Sequence, residues 1–174
     1  MTGHHPAPFD DHATTVDDHA ARFHLAQLNL AKLKYPLDDP RVADFVAWLK
    51  PINEMAERWP GFVWRLVDES GEDATSIQPL GPETIVNMTV WESQDALWDY
   101  TYRSGHLDAL RRRGEWFERP TRPMQVLWWI PAGHIPTVDE ALERLELLRA
   151  EGPSPRAFTF REAFTPADVE VPAA

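Results

Sequence analysis

The chain has no cysteine among its 174 residues, which excludes disulfides, thiolate metal sites and a cysteine nucleophile. It also lacks an excess of positive charge: 17 Lys and Arg against 28 Asp and Glu leave a formal net charge of −11. Nucleic acids and anionic membrane surfaces both reward clustered cations, so neither is an expected partner. The one basic run, Arg111 to Arg113, reads as a solvated helix face. No apolar run approaches the roughly 20 residues of a membrane-spanning helix. The N-terminus shows no basic-then-apolar leader pattern, so a cytoplasmic location is expected. A P-loop, a dinucleotide fingerprint, a zinc-binding motif and a hydroxyl–His–Asp spacing are all missing, which argues against a nucleotide or metal enzyme.

Tryptophan, by contrast, is abundant: there are eight, in a chain whose hydrophobic content of 43% is ordinary. The length suits one domain with a sizeable core. Residues 1–21 carry Pro6, Pro8 and the near-repeat FDDHATTVDDHA without hydrophobic periodicity, and are expected to form a flexible acidic tail. His4, His5, His12 and His19 are weak metal candidates there, because nothing in such a tail fixes coordination geometry. Residues 22–164 are expected to form the single domain, and the Pro/Ala-rich stretch 165–174 a second disordered tail.

Within the domain, FHLAQLNLA (Phe23 to Ala31) alternates as a strand. His24, Ala26, Leu28 and Leu30 share a face expected to pack on helices, and Leu25, Gln27 and Asn29 share the other. Asp38, Asp39 and Pro40 begin a helix that Pro51 is expected to kink or divide. Phe62 to Val67 is a second strand, with Arg65 placed opposite Phe62, Trp64 and Leu66. An acidic linker, Asp68 to Glu83, leads to a third strand, Ile85 to Trp91. Ser93 then caps a helix expected to run to about Phe117. Met124 to Ile130 gives a fourth strand. Thr137 and Glu140 form a capping box before a last helix, and Arg156 to Phe164 is an edge strand or arm. This order implies an α+β, ferredoxin-like βαββαβ sandwich with an extra C-terminal helix and arm. Both main helices then lie on one sheet face, and the other face, left bare, calls for a covering partner, most simply the second subunit of a homodimer.

The segments HLAQLNLAKLKYPLDDPR, GFVWRL, NMTVWES, YRSGHLDALRRRGEWF and VLWWIPAGHIPTVDEALERLELL resemble a bacterial domain-of-unknown-function family of the dimeric α/β barrel superfamily, related to antibiotic-biosynthesis monooxygenases. The resemblance covers about residues 22–162. It implies a pocket for a small molecule in each subunit of a dimeric α/β barrel, and precedents that include cofactor-free oxygenases and haem-degrading enzymes. Ser104, Gly105, His106 and Leu107 resemble a Ser-x-His-Phe helix motif of the monooxygenase-like branch, with Leu107 in the aromatic place. Haem-degrading relatives pair a strand-one Asn with a helix Trp and His. Asn29 suits the first role, but Tyr100 and Arg111 occupy the other two, which weighs against that chemistry.

His106 is the first candidate for catalysis, because an imidazole titrates near neutrality and can serve as a base. A hydrogen-bonded structural histidine is the plain alternative. Asn29 and Arg65 are expected to hold a substrate anion beside it. Gln27, Asn87 and Thr89, at inward strand positions, with Trp64, Trp91, Tyr100 and Trp129, complete the expected substrate-binding set. With these residues, the resemblance implies a monooxygenase-like oxidoreductase acting without a cofactor on a small aromatic or hydrophobic molecule. Two alternatives stay open: a haem enzyme with His106 as axial ligand, and a non-catalytic small-molecule carrier or sensor.

Overall fold

Phe23–Lys32 forms the central strand β1 of a computed structural model that describes residues 23–169. The histidines at positions 4, 5, 12 and 19, and the tail read over 1–21, lie outside the described residues. Asp39 accepts the Arg41 backbone N–H and opens a 3-10 turn, Pro40–Val42. Helix α1 (Ala43–Glu57) follows and runs through Pro51 without interruption, so the expected division does not occur. Pro51 is exposed, and α1 is anchored on both sides of it, by Phe45 and Trp48 before and by Ile52 and Met55 after.

Strands β2 (Phe62–Arg65), β3 (Thr84–Trp91) and β4 (Gln125–Pro131) join β1 in one sheet of order β2-β3-β1-β4. Every neighbouring pair is antiparallel. With α1 connecting β1 to β2, and α2 (Gln94–Arg103) and α3 (His106–Trp116) connecting β3 to β4, this is the expected ferredoxin-like α+β arrangement. The single long helix expected after Ser93 is two helices. Ser104 takes an extended backbone, its hydroxyl donates to the Tyr100 carbonyl and accepts the His106 N–H, and so it closes one helix and opens the next. Gly105 lets Met55 approach: a Cβ there would lie 3.0 Å from the Met55 Cε.

Helices lie on both sheet faces, so neither is left bare as was expected of one. Ala26, Leu28, Leu30, Val86, Met88, Val90, Val126, Trp128 and Ile130 pack under helix α4 (Val138–Glu151) through Ala141, Leu145 and Leu148. Each of those sheet residues is 3% exposed or less, so this face does not call for a second subunit. The other face carries α1, α2 and α3, which places Gln27 and Asn29 beneath helices rather than opposite them. Thr137 caps α4 by accepting the Glu140 N–H. The Glu140 carboxylate does not complete the expected box; it accepts from Trp128 Nε1 at 3.0 Å and meets His134 Nε2 at 2.8 Å. The expected arm extends the sheet, Phe158 and Leu127 exchanging both backbone hydrogen bonds. A short helix α5 (Pro166–Val169) lies inside the stretch read as tail. Among the described residues no helix is long and apolar enough to cross a membrane.

Candidate functional site

Strand register assembles the site. Asn87 on β3 and Gln125 on β4 are both Cα partners of Asn29 on β1. Side chains directly opposite in an antiparallel ladder share a face, so three carboxamides stand in a row across three strands on the helix side. In the next row Arg65, Thr89, Gln27 and Leu127 follow each other from β2 to β4, and in the next Trp91, Leu25 and Trp129. Two hydrophobic clusters flank these polar rows. Leu33, Ile85, Trp116, Phe45 and Trp48 close one end, and Leu25, Trp91, Tyr100, Leu127 and Met55 the other. Between them the floor is uncovered: Asn87 is exposed, and Asn29 and Gln125 are half-buried. None of the three carboxamides hydrogen-bonds another described side chain. The result is a polar strip of sheet on the α1–α3 side, exposed at Asn87 and half-buried at Asn29 and Gln125, with aromatic clusters at its ends.

A second feature leads away from the floor. The Thr89 hydroxyl donates to Gln27 Oε1 at 2.7 Å and accepts from Trp91 Nε1 at 2.9 Å. Trp91 stacks on Tyr100 with centroids 5.0 Å apart, and Tyr100 lies 5.1 Å from the His106 ring. Tyr100 donates to the Ile52 carbonyl at 3.2 Å, and burial pushes its phenol well above the ordinary range. His106 Nδ1 faces the Thr101 carbonyl at 3.4 Å. Burial lowers its pKa, a shift the Thr101 carbonyl partly opposes. With the Nδ1 proton directed at Thr101, the Nε2 lone pair is the basic one. The structure thus joins Gln27, Thr89, Trp91, Tyr100 and His106 in one chain of contacts, but two aromatic rings separate His106 from the floor.

Arg65 lies on the α1–α3 side. An irregularity between Phe62 and Trp64 shifts the β2 register, so Arg65 shares a face with Phe62 instead of opposing it. Its side chain is 12% exposed; Nε donates to Glu57 at 2.7 Å, and Nη1 is buried without a hydrogen-bond partner. Trp64 falls on the opposite face, packed with the α4 cluster, and so does not reach the polar strip. Trp129 is on the helix side, but its indole donates to the Phe164 carbonyl at 2.7 Å under the C-terminal arm, remote from the amide row. His24 is on the α4 side, opposite Ile130. Gln125 was not anticipated: it begins its strand, and only the register with Asn29 reveals its place.

A haem requires open volume beside an imidazole nitrogen. His106 is half-buried and packs on Tyr100 with its Nδ1 turned to the Thr101 carbonyl, and two open surface depressions of about 470 and 480 Å³, lined by Gln94, Trp98 and Phe160 and by Trp59, Pro60 and Glu92, do not include it. The residues present do not fit a haem there. Among the described residues no group of three or more His, Asp or Glu side chains is placed to hold a metal ion.

A family described as Domain of unknown function (DUF3291) matches residues 24–174. No curated protein matches the chain. Among solved structures, a conserved protein from Methanosarcina mazei Go1 is 13% identical, with 66% of this chain and 96% of that one covered and a TM-score of 0.45. SnoaB, a cofactor-independent oxygenase from Streptomyces nogalater determined as a point mutant, is 15% identical over 64% of this chain and 95% of that one, with a TM-score of 0.41. A protein of unknown function from Nitrosomonas europaea is also 15% identical, over 67% and 98%, with a TM-score of 0.41.

Proposed function

We propose that this chain, which belongs to the DUF3291 domain family, binds a small, flat, oxygen-bearing aromatic molecule in the cleft between its sheet and helices α1–α3. The observation that carries this reading is the uncovered carboxamide row of Asn87, Asn29 and Gln125 between two aromatic clusters. Half-buried amides without side-chain partners are stabilised when a ligand supplies the missing donors and acceptors, while the aromatic ends provide apolar contact for rings. The buried Arg65 Nη1 is a charge-assisted donor for a phenolate or enolate oxygen.

In the catalytic form, His106 Nε2 takes the proton of an acidic phenol or enol, and the electron-rich anion left behind reacts with dioxygen, the co-substrate. The two rings between His106 and the floor favour the second reading, a carrier that binds the same ligand without turning it over. A homodimer belongs to this proposal through helix surfaces or strand edges, since helices lie on both sheet faces.

Calorimetric titration with 2-naphthol, together with oxygen uptake, tests the reading. Binding weakened about tenfold in Asn29→Leu, the scale of one lost hydrogen bond, supports the cleft. Oxygen uptake lost in His106→Ala with binding kept supports the base. No uptake in either protein, with binding intact, supports the carrier. Binding unchanged in Asn29→Leu would contradict the site.

A further inference from the structure

We infer that the carboxamide row is a spacing gauge, and that Gln125, paired with Asn29, selects aromatic ligands bearing oxygens at alternate ring positions, the resorcinol type. This inference rests on the cleft reading above and adds the substitution pattern of the ligand. Neighbouring strands lie about 4.8 Å apart, so the Cβ atoms of Cα partners on one face repeat at about that interval, and the amides of Asn29 and Gln125 start from it. That interval is close to the separation of two meta oxygens on one benzene ring, and far larger than that of two ortho oxygens. Each carboxamide offers both an acceptor and donors, so it serves a hydroxyl or a carbonyl equally.

The row is not equivalent along its length. Asn87 is exposed, whereas Asn29 and Gln125 are half-buried, and a hydrogen bond removed from competing water contributes more. The pair on β1 and β4 therefore dominates recognition. Leu127, the next residue on the cleft side of β4, is fully buried, which fixes the strand that carries Gln125. Asn29 and Gln125 do not bond each other, so neither amide must be released before a ligand can bind.

The test compares 1,3-dihydroxynaphthalene, 2,3-dihydroxynaphthalene and 2-naphthol by calorimetric titration of the wild type, Gln125→Leu and Gln125→Ala, with circular dichroism to check folding. The 1,3 isomer is expected to bind about tenfold tighter than 2-naphthol, the worth of one further hydrogen bond, and the 2,3 isomer no tighter. In either Gln125 variant the preference should vanish, the 1,3 isomer binding no tighter than 2-naphthol binds to the same variant. Equal affinities for the two isomers, or a 1,3 preference surviving both variants, would overturn the gauge and leave the cleft standing. Failure of all three probes to bind the wild type would overturn the cleft reading and the gauge together.

Discussion

At the scale of single residues, Gly61 and His106 make the sharpest demands. Gly61 has φ of +80°, and a Cβ there would stand 2.6 Å from the Ala96 Cβ. Gly61→Ala combines backbone strain with a clash against the start of α2, and a loss of roughly 1–3 kcal/mol is expected in a denaturant melt. His106 titrates below its ordinary 6.5 because it is buried. The sign follows from linkage: a base whose folded pKa is depressed leaves the folded state fully stable above the unfolded value, and stability falls as pH drops below it. Any turnover that uses His106 as a base should therefore keep its rate down to pH 6.5, with the acid limb at lower pH. A limb centred above 6.5 would assign the titration to another group. Glu140 joins Trp128 to His134; burial works against its charge, yet the hydrogen bonds from these two outweigh it and lower its pKa. Glu140→Leu leaves the Trp128 indole N–H unpaired, and the expected cost is about 1–3 kcal/mol.

At the scale of elements, the alternation of β1 and the order of strands and helices were legible, because apolar period and helix caps are local signals. Ser93 and Thr137 cap their helices as their sequence context suggests. What lay beyond the sequence was tertiary. The break at Ser104 depends on a hydroxyl choosing backbone partners. The faces of β2 turn on one register irregularity, which puts Arg65 on the face of Phe62 and leaves Trp64 outside the site. Gln125 acquires meaning only from strand pairing, and pairing is non-local. The Asp68–Glu83 segment, legible only as an acidic linker, is gathered by Asp68, which accepts from the Ser70 backbone and hydroxyl and from the Ser76 hydroxyl. Those hydrogen bonds, Ser70 first, hold its carboxyl at about 2 against an ordinary 3.8. The contribution is complete above 3.8 and disappears as pH falls toward 2. Backbone amide exchange in this loop should accelerate through that window in the wild type, and should already be fast at neutral pH in Asp68→Ala.

At the scale of the whole molecule, the sheet separates two structures with different roles. Its α4 side is sealed and apolar, and its α1–α3 side keeps a polar floor open between aromatic ends. Leu145 is fully buried in the sealed side, so Leu145→Ala should cost about 2–5 kcal/mol without changing ligand affinity measured below the melting transition. The division is the central claim, and side-chain NH₂ resonances of asparagine and glutamine report on it directly. In a ¹⁵N-resolved NMR titration with 2-naphthol, Asn29, Asn87 and Gln125 should shift together and saturate at one ligand concentration. Shifts confined to the depression around Trp98 and Phe160, with these three amides unmoved, would contradict it.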